Sequence, residues 1–326
     1  MIREKIVQTI EAHQNFLIVA HVHPEGDSIA SQLALAHLLR ARRKTARILN
    51  ADAVPNNLRF LPGWEGVERA GRSAADELNF EVVMILDCGD LERIGAVKKY
   101  IPASALVVNI DHHISNTKFG ALNWVDPHAS STGEMIYQLF KTAGVGLDDL
   151  SALYLYVAIM TDTGSFRYSN TTSATHKIAA ELLHFAIDPT KVYEYIYETK
   201  AFETLKMLGE VLNDLQRSRD GKIVWFKVTR DMMRRYKLSN EHTEHFIDFV
   251  RMVEGAAVAV FFREMDEGNV IKVSFRSKAQ VDVNKIAQAF GGGGHQAASG
   301  CILEGDITQI EERVLTHIRA ELRQRA

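Results

Sequence analysis

The sequence predicts an α/β protein with an N-terminal domain built on a doubly wound, mainly parallel sheet and a smaller C-terminal α/β domain. Two observations lead to this prediction. Short apolar runs alternate with segments in which apolar residues recur at helical spacing, as in strand–helix–strand units with right-handed crossovers. The chain also has 326 residues, more than one domain usually contains. We expect a cleft between the two domains.

Four apolar runs in the first half are predicted to be buried parallel strands, because they are short and mostly apolar. They occupy residues 16–20, 46–50, 82–86 and 106–110. Helical spacing of apolar residues predicts helices in other segments of this half. These helices are expected at the N-terminus and at residues 28–42, 131–141 and 149–160.

The second half changes character after Pro189, where the pattern becomes helical over a long segment and then alternates between strands and helices. We therefore predict a catalytic domain at 1–188, a helical linker at 189–217 and a second domain at 218–326. Within the second domain, strands are expected at 223–228, 256–262 and 270–276, and helices at 283–290 and from Ile307 onward. A run of four glycines follows the first of these helices, and another short strand is expected between the glycines and the second helix.

Composition and charge exclude several classes of function. The chain has 38 basic and 41 acidic residues and a net charge of −3, without the basic stripe that a protein gripping long nucleic acid usually carries. No segment approaches the roughly 20 apolar residues of a membrane span, and the N-terminus lacks the features of a signal peptide. The two cysteines argue against a disulfide framework. We expect a cytoplasmic protein that binds neither a membrane nor long nucleic acid.

Ionisable residues follow three of the four predicted strands in the first domain. They are His21, Glu25 and Asp27 after the first strand, Asp87 after the third, Asp111, His112 and His113 after the fourth, and Asp162 at the end of a buried helix. Ligands bind outside the carboxyl ends of such strands, so these side chains should converge. Converging carboxylates repel one another unless divalent ions lie between them. Mixed histidine and carboxylate ligands suit Mn²⁺, with Mg²⁺ and Zn²⁺ as competitors.

Each of these residues taken alone has a simpler interpretation. Asp27 or Ser28 fits a helix cap, Asp87 fits the start of a turn, and Asp162 stands at an ordinary helix end. The pair His112 and His113 also suits simple packing against a sheet edge. The occurrence of all of them at strand or helix ends of one domain favours a site with two divalent metal ions.

The resemblance to a known family rests on four segments in the order HVHPEGD, LDCGD, DHH and MTDTGSFR. They resemble the motifs of the DHH superfamily of phosphoesterases. In the second domain, VSFRSK and GGGGHQAASG are similar to the DHH-associated C-terminal domain. The most similar branch contains nano-RNases and bifunctional oligoribonuclease/3′-phosphoadenosine 5′-phosphate phosphatases. One departure is Glu25, where the family usually has aspartate, which puts metal preference or rate in doubt.

The resemblance implies a role for each residue of the first domain's cluster. One metal ion would be held by His21, Glu25 and Asp87, and the second by Asp27, Asp87, His112 and Asp162. Asp111 would orient its neighbours, and His113 would face the substrate phosphate as a hydrogen-bond donor or acid. His23 replaces a more usual asparagine. A further metal ligand is one interpretation of it, and we favour a structural or outer residue of the site.

The second domain is expected to bind the end of the substrate. The residues that the resemblance assigns to this role are Arg276, Ser277, Gly292, Gly293, Gly294 and His295. Consecutive glycines suit a backbone that approaches a phosphate closely and forms an anion-binding nest. Without the resemblance, a flexible loop is the simpler interpretation of the glycine run.

The resemblance implies an exoribonuclease that hydrolyses oligoribonucleotides of a few residues to nucleoside 5′-monophosphates, and also 3′-phosphoadenosine 5′-phosphate to AMP. The family branch suggests a homodimer. Alternatives stay open: a phosphodiesterase for linear or cyclic dinucleotides such as pApA or cyclic di-AMP, and a nucleotide-binding sensor in which Glu25 has disabled one metal site. A pyrophosphatase is disfavoured by the glycine-run pocket, and a RecJ-like nuclease by chain length and charge. The sequence leaves the end polarity of attack open.

Overall fold

A computed structural model describes residues 1–71, 79–243, 246–265, 268–278 and 281–323, apart from the side chains of residues 241 and 295. The chain divides into two compact units, Met1–Thr199 and Lys200–Ala326. The three domain ranges given above remain a prediction. Within the described ranges, no helix is both long and apolar enough to cross a membrane.

The first unit contains a sheet of six parallel strands. In chain order the strands are β1 (Asn15–Val19), β2 (Thr45–Asn50), β3 (Val67–Arg69), β4 (Val82–Leu86), β5 (Leu106–Asp111) and β6 (Leu122–Val125). Their spatial order, β3-β2-β1-β4-β5-β6, reverses direction between β1 and β4. The predicted doubly wound parallel fold is confirmed, and the reversal marks the edge where such sheets bind ligands.

Two strands of this sheet, β3 and β6, are absent from the sequence prediction. They lie at the two edges of the sheet and have three and four residues, most of them only partly buried. A short edge strand needs no continuous apolar run, because solvent covers one side of it. The four central strands lie within one residue of their predicted bounds.

Helices flank the sheet of the first unit. They are α1 (Ile2–Ala12), α2 (Gly26–Ala41), α3 (Thr132–Ala143), α4 (Asp149–Asp162), α5 (Ser173–Leu182) and α6 (Pro189–Tyr193). Single-turn segments are 3₁₀-helical at Asn56–Leu58 and Trp64–Gly66, and a kinked 3₁₀ segment spans Leu91–Tyr100. A π-helical turn at Glu194–Glu198 follows α6. The side chains of Ser131, Asp148 and Thr172 accept backbone hydrogen bonds at the starts of α3, α4 and α5, which fixes where these helices begin.

The second unit contains a mixed sheet. Its strands are β7 (Gln216–Arg217), β8 (Ile223–Val228), β9 (Val258–Glu264), β10 (Val270–Ser277), β11 (Gly293–His295) and β12 (Ala298–Glu304). Strands β8 and β9 pair in parallel, the other pairs of described strands are antiparallel, and the spatial order is β11-β12-β10-β9-β8-β7. Its helices are α7 (Phe202–Asn213), α8 (Arg230–Tyr236), α9 (Phe246–Arg251), α10 (Val283–Gln288) and α11 (Ile307–Arg323), with a 3₁₀ turn at Asn240–Thr243. The predicted smaller α/β domain is confirmed.

Both sheets bury apolar side chains on their two faces. In β1, Phe16 and Ile18 join one core cluster, while Leu17 and Val19 join another. In β8, Ile223 and Trp225 face one cluster, and the alternating residues Val224, Phe226 and Val228 face the other. Successive strand residues point to opposite faces, so these continuous apolar runs are what a sheet covered on both sides requires.

Candidate active site

The cluster of ionisable residues lies at the carboxyl ends of β1, β4 and β5. His21 follows β1, Asp87 follows β4 directly, and His112 and His113 follow Asp111, the last residue of β5. Two carboxylates come from helices: Asp27 is in the first turn of α2, and Asp162 is the last residue of α4. The strands β1 and β4 that flank the reversal of strand order therefore both contribute to the cluster, as expected for a doubly wound sheet.

His112 stands among three carboxylates. Its Nε2 lies 3.6 Å from Asp87 Oδ1, 3.6 Å from Asp162 Oδ2 and 3.9 Å from Asp27 Oδ2. Its Nδ1 donates to the carbonyl of Ala129 at 3.3 Å. A histidine that ligates a metal through one ring nitrogen usually donates its other N–H to such an acceptor.

Asp87 links the two ends of the cluster. Its Oδ2 lies 3.4 Å from His21 Nε2, while its Oδ1 lies 3.6 Å from His112 Nε2 and 3.7 Å from His113 Nδ1. The residue adopts a left-handed backbone, with φ of 53°, an uncommon conformation for a residue other than glycine. Burial opposes ionisation of Asp87, but the neighbouring imidazoles of His112 and His21 hold the pKa of its carboxyl well below the usual range.

The pKa values of the other ionisable groups reflect the concentration of negative charge in the site. Burial, together with the charges of Asp87 and Asp162, raises the pKa of Asp27 well above its usual value. Burial also raises the pKa of Asp162, to about 6. Burial lowers the pKa of His112, but the neighbouring carboxylates, Asp162 first, outweigh it and raise that pKa well above the usual range. The site therefore favours positive charge among its carboxylates.

Among the described residues, two groups of donor atoms lie close enough together to hold a metal ion, each group having its atoms within 4.8 Å of one another. One group is Asp87, His112 and His113, and the other is Asp27, His112 and Asp162. Both mix carboxylate oxygens with imidazole nitrogens, which suits divalent ions such as Zn²⁺ and Mn²⁺. The chemistry and spacing of these donors fit a divalent metal site.

Asp27 is held in place by the start of α3. Its Oδ2 accepts from the backbone N–H of Thr132 at 2.7 Å, and its Oδ1 accepts from that of Gly133 at 2.9 Å. The hydroxyl of Ser31 donates to the same Oδ1 at 3.0 Å. A helix N-terminus favours negative charge, so α3 stabilises and orients a carboxylate that belongs to a different helix.

The first and third histidines of the cluster are fixed through Nδ1. In His21, Nδ1 donates to the carbonyl of Val22 at 2.6 Å, which directs Nε2 toward Asp87. In His113, Nδ1 donates to Asp111 Oδ1 at 2.7 Å, and Asn116 Nδ2 donates to the other oxygen of Asp111 at 2.5 Å. Burial opposes ionisation of Asp111, yet the hydrogen bond from His113 keeps the pKa of that carboxyl low. Asp111 therefore sets the orientation of His113.

Glu25 and His23 lie at the outer side of the cluster. Glu25 is exposed, stands immediately before α2, and is outside both donor groups of the described residues. Its backbone N–H donates to Ser28 Oγ at 2.8 Å, and its charge contributes to the raised pKa of Asp162. His23 is exposed, and its backbone N–H donates to Asp52 Oδ2 at 2.7 Å.

Several residues that shape the cluster are absent from the sequence prediction. Thr132 and Gly133 bind Asp27, Asn116 binds Asp111, and Asn170 Nδ2 lies 3.3 Å from Asp162 Oδ2. The start of α3 has a detectable signal, because Ser131 followed by Glu134 is a typical capping pattern. The two asparagines lie in connecting segments with no periodic pattern that would single them out.

The glycine run of the second unit has a packing role that the sequence prediction did not include. A Cβ on Gly292 would lie 2.2 Å from the carbonyl oxygen of Gly300, and one on Gly294 would lie 2.6 Å from that of Ala298. Gly293 and Gly294 belong to β11, which pairs with β12. Glycine is therefore required at 292 and 294 because two backbones approach each other closely, whether or not the run also binds an anion.

The predicted substrate-binding side chains of the second unit differ in their surroundings. Arg276 is partly buried, donates through Nη1 to the carbonyl of Phe275 at 3.1 Å, and has its Nε 3.8 Å from Asp248 Oδ1. Ser277 is 1% exposed, and its hydroxyl donates to the carbonyl of Val281 at 2.6 Å. This places the Ser277 hydroxyl inside a turn rather than toward a ligand. The side chain of His295 lies outside the described part of the chain.

The fold and the cluster define a metal-dependent hydrolase of the doubly wound α/β class. Residues 15–161 match the N-terminal domain of the DHH family, and residues 220–325 match the DHHA1 domain. The chain is 35% identical over 310 residues to the bifunctional oligoribonuclease and PAP phosphatase NrnA of Thermus thermophilus, covering 94% of this chain and 89% of that protein. The chain belongs to the DHH family, whose phosphoesterases are metal-dependent.

Two further comparisons agree with this assignment. The protein of the same name from Bacillus subtilis is 31% identical over 301 residues, with 91% of this chain and 92% of that protein covered. The crystal structure of an exopolyphosphatase-related protein from Bacteroides fragilis superposes with a TM-score of 0.90 at 27% identity, covering 99% and 97% of the two chains. The predicted resemblance to the DHH family is confirmed, and the protein is a hydrolase acting on phosphoester bonds.

Proposed function

We propose that this protein hydrolyses short oligoribonucleotides to nucleoside 5′-monophosphates and 3′-phosphoadenosine 5′-phosphate to AMP. The observation that carries the proposal is the position of His112 Nε2 within 4 Å of three buried or partly buried carboxylates, Asp27, Asp87 and Asp162. Such a cluster is suited to phosphoryl chemistry through divalent ions. The names of the Thermus and Bacillus relatives support this choice of substrates.

The proposed cofactor is a pair of divalent ions, Mn²⁺ in preference to Mg²⁺. Bound ions of this kind supply positive charge to the phosphoryl oxygens and lower the pKa of water. The proposed ligands are His21, Glu25 and Asp87 for one ion, and Asp27, Asp87, His112 and Asp162 for the other. The contacts of Asp87 on both of its oxygens support a bridging role, whereas the exposed position of Glu25 makes it the most weakly supported ligand.

His113 is proposed to act on the leaving group. Water loses a proton to the solvent as it attacks the phosphorus in line, the bond to the ribose oxygen breaks, and His113 donates a proton to that oxygen. Asp111 holds the Nδ1–H of His113, and Asn116 holds Asp111. These two residues keep the imidazole in one orientation. A general acid needs a fixed orientation because proton transfer depends on its alignment with the leaving oxygen.

In the second unit, Arg276, Gly292, Gly293, Gly294 and His295 are proposed to bind the substrate end. A guanidinium suits phosphate or a base edge. The hydrogen bond between Ser277 and Val281 is the reason to leave Ser277 out of the proposed set. The near-balance of 38 basic and 41 acidic residues supports substrates with few phosphates over long chains.

Substrate length tests the proposed function directly. We expect rapid release of nucleoside monophosphate from a diribonucleotide in Mn²⁺, slower loss of a long single-stranded RNA, and conversion of 3′-phosphoadenosine 5′-phosphate to AMP. Chromatography of the products measures all three reactions side by side. A long RNA degraded as fast as the dimer would contradict the proposal, and turnover of pApA or cyclic di-AMP alone would favour a signalling phosphodiesterase.

Metal binding should stabilise the first unit, because it relieves repulsion among Asp27, Asp87 and Asp162. At free Mn²⁺ about 100 times its Kd, we expect the thermal midpoint to rise by roughly 5–10 °C over the chelated protein. Differential scanning calorimetry measures this shift, and elemental analysis should find two ions per chain. An unchanged midpoint across Mn²⁺ and Mg²⁺ concentrations would contradict the metal site, and one ion per chain would favour the sensor alternative.

We further propose a cytoplasmic homodimer. Cys88 and Cys301 are free and buried, and burial raises the pKa of their thiols to about 12 and about 11 respectively. Free cysteines without a disulfide are typical of a reducing compartment, which supports the cytoplasmic part of the proposal. The homodimer is supported by the family branch alone.

A further inference from the structure

A buried pair of amides joins β2 to α2 beside the end of β1. Asn50, the last residue of β2, and Gln32, within α2, are both 0% exposed. Asn50 Nδ2 donates to Gln32 Oε1 at 2.8 Å, and Gln32 Nε2 donates to Asn50 Oδ1 at 2.8 Å. The same Oδ1 accepts from the backbone N–H of Ala20 at 3.1 Å. The two amides therefore fix each other and one backbone group.

The contact with Ala20 extends the pairing of β1 with β2 beyond its regular ladder. The parallel register pairs Ile18 with Ile48, so Ala20 lies opposite Asn50 two residues further on. At that point the Asn50 side chain, rather than a strand carbonyl, accepts the Ala20 N–H. Buried amides cost free energy unless they are fully hydrogen-bonded. A pair of apolar side chains would fill this part of the core without that cost.

Each amide is linked to a segment that carries a cluster residue, Asn50 through its hydrogen bond with Ala20 and Gln32 through its own helix. Ala20 directly precedes His21, whose Nε2 lies 3.4 Å from Asp87 Oδ2. Gln32 directly follows Ser31, whose hydroxyl donates to Asp27 at 3.0 Å. The pair thus connects the strand end that positions His21 to the helix that carries Asp27.

We propose that Asn50 and Gln32 are positioning residues that hold His21 and Asp27 at the separation needed for metal binding. This inference rests on the proposed function, because it assigns both cluster residues to metal ions. Neither amide contacts the ions or the substrate in this proposal. Their effect is transmitted through the Ala20 backbone on one side and through α2 on the other.

Calorimetric titration of the full-length metal-free protein with Mn²⁺ tests the proposal. Asn50→Leu removes the acceptor of the Ala20 N–H, and Gln32→Met removes only the partner of Asn50 in a similar volume. We expect Asn50→Leu to weaken Mn²⁺ binding about tenfold or more, and Gln32→Met to weaken it less. Should Asn50→Leu fail to fold, the smaller effect of Gln32→Met still decides the outcome.

A matched control separates positioning from stability. Tyr154 donates its hydroxyl to the carbonyl of Pro62 at 2.6 Å in the same unit, so Tyr154→Phe also removes one side-chain hydrogen bond to backbone. It should lower the thermal midpoint and leave Mn²⁺ affinity unchanged. In the double variant Asn50→Leu, Gln32→Met, the midpoint should fall less than the sum of the single losses, whereas the affinity should stay weak because Ala20 N–H still lacks Asn50.

The outcomes distinguish this inference from the proposed function. Folded Asn50→Leu and Gln32→Met proteins with wild-type Mn²⁺ affinity would overturn the positioning role and leave the amide pair as a purely structural feature. A wild-type protein that binds no Mn²⁺ and hydrolyses none of the substrates would overturn the proposed function instead.

Discussion

Asp87→Asn is expected to reduce hydrolysis of every substrate by about a thousandfold or more, since the contribution of metal-assisted charge stabilisation amounts to several kcal/mol. Asparagine keeps the size of the side chain and removes its charge. Asp87 contacts His21 through one oxygen and His112 through the other, so both proposed ions lose a negatively charged ligand at once. Initial rates of monophosphate release from a diribonucleotide in saturating Mn²⁺ measure the loss.

Asp90→Asn is the matched control for this change. Asp90 lies three residues further along, and its side chain accepts from the backbone N–H of Glu92 at 2.8 Å, a capping contact that asparagine also makes well. Its rate should stay near that of the wild type. If Asp87→Asn kept more than about a tenth of the wild-type rate with two ions bound, the bridging role proposed for Asp87 would be wrong.

The cluster could be predicted from the sequence because of how parallel sheets are built. Apolar runs locate the strands, and whatever follows a strand in a doubly wound sheet lies at one edge. Asp87 directly follows one buried run, and Asp111 and His112 stand at the end of another, so their convergence could be predicted without coordinates. Asp162 required the additional step of recognising that a buried helix ends at the same edge.

The contacts that support the cluster could not be predicted from the sequence in this way. Asp27 accepts from Thr132 and Gly133, more than 100 residues away in sequence, and the amides of Asn50 and Gln32 meet across two elements. No local pattern records such pairings, because each partner alone resembles an ordinary polar residue. They follow from the packing of α2 against α3 and β2, which only the three-dimensional arrangement reveals.

The glycine run shows a different limit of sequence reasoning. Four glycines in a row predicted a backbone that approaches something closely, and that part of the interpretation agrees with Gly292 and Gly294. In the structure, however, the approaching group is the backbone of β12. Spacing alone does not distinguish a close ligand from a close strand, because both exclude a Cβ for the same steric reason.

Gly26→Ala is expected to lower kcat/KM about a hundredfold, the order of loss that follows when catalytic groups shift by about 1 Å. Gly26 begins α2 directly before Asp27, and Thr161 directly precedes Asp162 near the end of α4. A Cβ on Gly26 would lie 2.4 Å from Thr161 Cγ2 and 2.5 Å from its Oγ1. The two helices must then move apart, which separates Asp27 and Asp162, the carboxylates on either side of His112.

A second substitution tests whether this contact is the cause. Adding Thr161→Ala removes Cγ2 and Oγ1 but keeps the Cβ, which lies 2.7 Å from the added methyl position, so we expect part of the lost rate to return. Gly209→Ala is the control, because that glycine lies within α7 and has nothing within 4 Å of an added Cβ. Its rate should be unchanged, with a slight gain in stability. Full activity in Gly26→Ala would show that α2 and α4 adjust without moving their carboxylates, and that the spacing of Asp27 and Asp162 is set elsewhere.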